Sequence, residues 1–244
     1  MLPMSDEAGA QRRSFGRPAT FQRNSLAVEW SLPSLPPMEV TVVDHPVVQD
    51  RLARLRHRDT PPDSFRRAVH ELGMLMAFEA TRSLEVRTEM VPTPVALATS
   101  RVLARPVVVV PILRAGLGML QGILSLLPEA LIGHIGMARN EETKRPESYF
   151  LKLPPGIADA DVLLVDPMLA TGHSGAAAAT KLKEAGAKRI AFVSILATPE
   201  GIAVFQAAHP DIPVFTASID DGLTANAFIT PGLGDAGVRY FGTL

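Results

Sequence analysis

The chain has 244 residues, 47% hydrophobic and 20% charged, which is enough apolar content for one substantial core in a single domain. A formal net charge of −1, with no basic stretch interleaved with aromatics, excludes the field that nucleic-acid capture needs. With no cysteine, disulfides and thiolate chemistry are excluded, and a reducing cytoplasm is permitted.

Residues 1–37 read as a disordered tail: Pro3, Pro18, Pro33, Pro36 and Pro37 stand among Ser, Gln and Arg with no sustained periodicity. No continuous apolar run makes a secretory signal there, and Asp6 and Glu7 count against an organellar presequence. The folded domain is expected over residues 38–244. It opens with a short strand near Glu39–Val43 and helices near Pro46–Arg58 and Pro61–Arg82. On the second helix Leu72, Leu75, Met76 and Glu79 fall at helical spacing, a face for core or subunit contact. A β-rich segment, Glu85–Val95, follows. Strands near Pro106–Ile112, Leu131–Met137, Asp161–Val165, Arg189–Leu196 and Val214–Ser218 then alternate with helices at Leu117–Leu126, Ser174–Ala185 and Pro199–Ala208. That alternation predicts an α/β fold, a central parallel sheet flanked by helices. The longest apolar region, Val107–Leu127, is interrupted by Pro111, Arg114 and Gln121 and does not span a membrane. His45, His57, His70, His134 and His209 are scattered without metal-site spacing and read as surface or packing residues.

Four segments carry chemistry. Val107–Met119 (VVVVPILRAGLGM) is a buried strand, then a single charge at Arg114, then Gly116 and Gly118 opening a helix. The planar guanidinium suits a diphosphate, with glycine N–H groups approaching the same oxygens; the plainer reading is an arginine reaching from a helix start into solvent. Met137–Tyr149 (MARNEETKRPESY) is dense in charge and reads as a mobile hairpin lid, with Glu141, Glu142, Lys144 and Arg145 a solvated run. Val162–Ser174 (VLLVDPMLATGHS) sets Asp166 at the end of an apolar strand, before small and hydroxyl residues that feed a helix stopped by Gly186. The helix start and the Thr171 and Ser174 hydroxyls suit a phosphate, and Asp166 suits vicinal ribose hydroxyls. Taken alone, the segment reads equally as a strand-ending turn and a helix cap. Ile229–Thr243 (ITPGLGDAGVRYFGT) has enough glycine and proline to predict a non-helical loop, whose exposed backbone can read a flat base edge.

The Asp166–Ser174 segment resembles the phosphoribosyl-diphosphate motif of type I phosphoribosyltransferases. In order, PILRAGLGM, MARNEET (Met137–Thr143), VDPMLATGHS, TPEGI, TASID and PGLGDAG resemble the uracil phosphoribosyltransferase family over about Met38–Leu244. The resemblance implies transfer from 5-phospho-α-D-ribose 1-diphosphate to uracil, giving UMP and diphosphate. It also implies a small hood, built from N- and C-terminal pieces, that holds the base over the sheet's carboxyl edge. Arg114 and Arg139 are then the diphosphate clamp, with Asp166, Pro167, Met168, Leu169, Ala170, Thr171, Gly172, His173 and Ser174 on phosphate and ribose. Ile229, Gly234, Asp235 and Ala236 match the uracil contacts, Asp235 also standing near the diphosphate. Arg114, Arg139, Asp166 and Asp235 are the catalytic set. Mg²⁺ is the expected cofactor, carried mainly by the diphosphate with no dedicated protein ligand. A homo-oligomer, dimer or larger, a GTP effector as in some members and a cytoplasmic location come with the family; no nucleic acid or membrane partner does.

Two residues depart from the family pattern. His173 stands where this branch has a second glycine, and is expected to modify affinity or pH dependence rather than abolish binding. Val238 replaces an acidic residue after GDAG, removing a contact or loop brace. A sensor that binds UMP or phosphoribosyl diphosphate without turnover is the alternative reading those departures allow, and transfer to another base is a third.

Overall fold

An uninterrupted run such as VVVVPIL or VLLV leaves no face for water, so it is stable as a strand only with apolar layers on both sides. A computed structural model describes residues 40–139 and 146–243, and in it both runs occupy the middle of a sheet. In chain order the elements are β1 (Val40–Val42), α1 (Pro46–Arg56), α2 (Pro62–Ala80), β2 (Val86–Pro92), β3 (Leu97–Leu103), β4 (Val107–Leu113), α3 (Leu117–Leu126), β5 (Leu131–Ile132), β6 (His134–Arg139) and β7 (Pro146–Lys152). They continue with β8 (Asp161–Val165), β9 (Met168–Leu169), α4 (His173–Glu184), β10 (Arg189–Val193), β11 (Leu196–Ala197), α5 (Pro199–Ala208), β12 (Val214–Thr216), β13 (Ser218–Ile219), β14 (Gly222–Leu223), β15 (Ile229–Thr230) and α6 (Ala236–Phe241).

The central sheet has the order β1-β12-β10-β8-β4-β6-β7, with β5 also paired to β4. All pairs are parallel except β6 with β7. Side chains of β4 and β8 alternate between two cores, as period two requires. Val107, Val109, Leu163 and Val165 pack with α1, α2 and α3; Val108, Val110, Val162 and Leu164 pack with α4 and α5. Leu72 and Met76 are fully buried and Leu75 half-buried, so the expected face of α2 is core. Helices α2 and α3 cross backbone to backbone: a Cβ on Gly122 would lie 1.9 Å from the His70 carbonyl oxygen, and one on Gly73 2.6 Å from that of Met119. Beyond the carboxyl edge of the large sheet, β13, β11 and β9 form a second, short parallel sheet. No helix among the described residues is long and apolar enough to cross a membrane.

The structure corrects the sequence reading in several places. The β-rich segment is a two-stranded antiparallel hairpin that runs on through β3 to Leu103. Exposed and half-buried residues alternate along β3, so no apolar run marks it. The expected strand Arg189–Leu196 is two strands, β10 and β11, and Val214–Ser218 likewise divides into β12 and β13. Ile229–Thr243 is not wholly loop, because α6 forms within it. Asp235 Oδ1 accepts from the Val238 amide at 2.8 Å, and Gly242 ends the helix at φ +69°. The tail reading and the lid residues 140–145 lie outside the described residues.

Candidate active site

Strands β4 and β8 end at the same edge, so the loops after them open side by side. Asp166 is the first residue past β8; its amide donates to the Val193 carbonyl at 3.1 Å, and its Oδ1 accepts from the Met168 amide at 3.4 Å. Burial pushes its carboxyl up to about 7, against the opposing pull of that Met168 amide. The chain then pairs β9 with β11, turns through Ala170–Gly172, and enters α4 at His173. Ala176 is bonded to the Gly172 carbonyl at 2.9 Å as the ladder of α4 starts, and the amides ahead of it have no carbonyl of the helix to bond, at the end where the helix dipole favours an anion.

The start of α5, with its N-cap Thr198, holds this turn. The fully buried Thr198 donates from Oγ1 to the Ala170 carbonyl at 2.6 Å, accepts from the Gly201 amide at 2.9 Å, and donates from its own amide to the Leu169 carbonyl at 3.1 Å. Gly172, at φ +76°, crosses Gly201 so closely that a Cβ on it would stand 2.3 Å from the Gly201 carbonyl oxygen. A Cβ on Gly201 would stand 2.3 Å from that of Ala170. His173 is exposed and helical, so the backbone there makes no demand for glycine.

After β4 the Leu113–Arg114 peptide is cis, and the exposed Arg114 guanidinium sits 5.8 Å from the Phe241 ring centre. No carboxylate pairs with Arg114 among the described residues. The glycines beside it do other work than expected. The Gly116 and Gly118 amides bond the Ile112 and Ala115 carbonyls at 2.9 and 3.1 Å. A Cβ on Gly116 would meet the Val165 carbonyl oxygen at 2.5 Å, so it is a packing glycine between β4 and β8. Arg139 ends β6, opposite Pro146.

The C-terminal loop is held by two arginines. Arg56, at the end of α1, grips Asp220 with both nitrogens at 2.6 and 2.5 Å. Arg239 donates to the Leu55 and Leu233 carbonyls at 2.6 and 2.7 Å and lies 4.4 Å from the Phe65 ring centre. Burial raises the Asp220 carboxyl, but hydrogen bonds from Arg56, Gly232 and Ser218 outweigh it and hold the group below the usual carboxylate range.

Between these loops lies a cleft of about 190 Å³. It brings together Asp166, Met168 and Ala170 with Ile229, Gly234, Asp235 and Ala236 of the expected set. The sequence reading missed its other walls, among them Ala115, Ala227 and Phe228. Thr171, Gly172, His173 and Ser174 continue the turn past this cleft, Leu169 faces the core, and Arg114 stands outside. A larger cleft of about 400 Å³ sits at the opposite edge of β8 and β10, but its Glu85, Asp161 and Asp211 are each paired with a cation of the same cleft. His45 and His57 accept from nearby backbone amides, and the buried His209 Nε2 lies 2.9 Å from the Ala176 carbonyl oxygen.

A half-buried carboxylate at a strand's carboxyl end, a tight turn into a helix start and, just past the neighbouring strand, an arginine with no carboxylate partner among the described residues, all on one edge of a parallel sheet, define a phosphoribosyltransferase of the type I fold. The family model for uracil phosphoribosyltransferase matches residues 42–243, and the chain belongs to that family. A uracil phosphoribosyltransferase of Thermoanaerobacter sp. (strain X514) is 49% identical over 205 residues, 84% of this chain and 98% of the relative. One from Clostridium perfringens (strain 13 / Type A) is 50% identical over 206 residues, 84% of this chain and 99% of the relative. Among solved structures, the AQ2163 protein of Aquifex aeolicus superposes with a TM-score of 0.80 at 30% identity, covering 84% of this chain and 99% of its own.

Proposed function

We propose that the chain transfers the phosphoribosyl group of 5-phospho-α-D-ribose 1-diphosphate to uracil, giving UMP and diphosphate in pyrimidine salvage. One observation carries this reading: a single small cleft joins the strand-end carboxylate and phosphate turn to the C-terminal loop. Its volume, about 190 Å³, is below the ~300–1,000 Å³ of ordinary ligand pockets and suits a one-ring base.

The amides of Ala170–His173 and the hydroxyls of Thr171 and Ser174, with Pro167, Met168 and Leu169 shaping the turn, hold the 5′-phosphate, and Asp166 accepts from the ribose hydroxyls. Arg114 and Arg139 take the diphosphate, and closure of the lid over it excludes water. The backbone at Ile229, Gly234, Asp235 and Ala236 reads uracil, beneath a hood formed by the N- and C-terminal segments. The bond from ribose C1 to diphosphate breaks ahead of full bonding to the pyrimidine nitrogen, with inversion at C1, so positioning and charge stabilisation supply most of the rate. Among the described residues no three His, Asp or Glu side chains gather as a cation site. Mg²⁺ is usually held by one or two carboxylates plus substrate phosphates, and Asp166 and Asp235 on the cleft wall suit a cation carried mainly by the diphosphate. Bound there, Mg²⁺ would neutralise charge developing on the leaving group.

A homo-oligomer, a GTP effector and a cytoplasmic location complete the proposal. Its test is diphosphate release from phosphoribosyl diphosphate and Mg²⁺ with uracil, cytosine, hypoxanthine or no base. Release that requires uracil and yields UMP is expected. Binding of UMP without release in any arm would replace the enzyme by a sensor.

A further inference from the structure

Gly232 lies between two residues of the cleft wall, Ile229 and Gly234, and both of its backbone groups are taken by one ion pair. Its amide donates to Asp220 Oδ2 at 2.8 Å, and its carbonyl accepts from Arg56 Nη1 at 2.9 Å. The pair is itself fixed from outside. Arg56 meets the two Asp220 oxygens in a bidentate fork at 2.6 and 2.5 Å, and Ser218 Oγ donates to Oδ1 at 2.9 Å while accepting from Arg56 Nη2 at 3.2 Å. The Asp220 side chain is 2% exposed and that of Arg56 25%, so the carboxylate is withdrawn from water and the guanidinium only partly reaches it. A fork of this kind fixes angle as well as distance. The turn it holds has no slack, because at φ +61° Gly232 curls so tightly that a Cβ would stand 2.0 Å from the Ile229 carbonyl oxygen.

We infer that Arg56 and Asp220 are positioning residues for base recognition: together they set where the backbone of Ile229–Ala236 meets the base, without touching it. This inference rests on the reading of that loop as the uracil site. A base read through backbone groups needs those groups placed to a fraction of an ångström, and here an arginine of α1, distant in the chain but adjacent in the fold, supplies the placement. The side-chain bonds of the clamp do not reach the phosphate turn, which is held through Thr198 and Gly201; only the Asp220 amide, on the Ala197 carbonyl at 2.9 Å, touches its support, and that backbone bond survives a side-chain change. Damage to the clamp should therefore fall mainly on one substrate.

The test is initial-rate kinetics on the full chain bearing Asp220→Asn, with Arg56→Lys and the double variant alongside. Each single variant is expected to raise the uracil KM about 10- to 100-fold, with the phosphoribosyl-diphosphate KM within about threefold of the parent, because a buried donor or charge loses its partner at the base loop alone. The double variant should be no worse than the poorer single one, since both act through one turn. If Asp220→Asn does not fold, Ser218→Ala removes only one hydroxyl of the network and should still raise the uracil KM about threefold with the other KM unchanged. Both constants rising in step with lost thermal stability, or a uracil KM unmoved in all variants, would overturn the clamp. Failure of the parent to release diphosphate in response to uracil would instead overturn the site reading, so the two failures are told apart.

Discussion

On the phosphate side of the cleft, the turn Ala170–Gly172 rests on Thr198 and Gly201, residues that follow it after one helix and two strands. On the base side, the turn at Gly232 hangs from Arg56 and Asp220, which stand 164 residues apart in the chain. The first is a backbone device that needs small residues and one hydroxyl; the second is an ionic device that needs two full side chains and burial. Their carboxylates differ in the same sense. Asp166 has no cation partner among the described residues and burial raises it, whereas Asp220 is held low by its arginine. The carboxyl on the phosphate side thus stays partly protonated until a ligand arrives, whereas the one on the base side is ionised and already paired.

The sharpest way to break this contrast is Asp166→Asn. Turnover should fall at least about 100-fold, since an amide cannot replace a carboxylate facing ribose hydroxyls and cation. Stability should move the other way. With its carboxyl raised from an ordinary value near 3.8 to about 7, Asp166 contributes stability that is full in acid, declines as pH rises towards about 7 and is gone above it, so the ligand-free parent weakens over that interval and the variant does not. Thermal melts from about pH 4 to 7 should show a flatter profile for the variant, each kcal/mol relieved adding about 2–4 °C. For the parent, phosphoribosyl-diphosphate affinity measured by calorimetry should rise over the same interval.

A middling effect is expected at Thr198→Val, which keeps the shape and leaves the Ala170 carbonyl and Gly201 amide without a partner. The phosphoribosyl-diphosphate KM should rise about 5- to 50-fold, the equivalent of ~1–2 kcal/mol, with the uracil KM unmoved and Thr198→Ser close to the parent. A rise in the uracil KM instead would erase the division between the two sides. The smallest effect belongs to Ala227, on the cleft wall at φ +62°. Ala227→Gly should stabilise by about 0.5–1 kcal/mol in denaturant titration, release of left-handed strain outweighing added chain freedom, with both KM values unchanged.

The same contrast explains what the sequence made legible. The phosphate turn and its carboxylate occupy contiguous residues, so a strand, an acid and a helix start could be read directly, and β8, α3 and α5 fall where expected. Arg56 showed no signal, because nothing in the composition of α1 marks one arginine among three as the partner of a distant aspartate. Thr198 lay within a recognised motif, yet its function needs the fold to bring Ala170 over it. The helix α6 was concealed by its glycines, although Asp235 at its start and Gly242 at its end were readable as caps. Strand β3 was missed because its hairpin is half exposed and two prolines, Pro92 at the end of β2 and Pro94 in the turn, close off the segment before it.

The crossing of Gly172 and Gly201 has a further consequence for how this protein can vary. At both positions the atom nearest an added carbon is a carbonyl oxygen of the main chain, not a side chain. Most tight contacts can be relieved by trimming the neighbour, so a sequence drifts by paired exchanges. A main-chain oxygen cannot be trimmed. The two glycines therefore form a dead end for compensation, where neither change opens a route for the other, while Gly156, equally left-handed at φ +78° but with nothing within 4 Å, stays free to exchange for asparagine. Loops of equal backbone geometry thus belong to different classes of mutational freedom, divided by what stands opposite them.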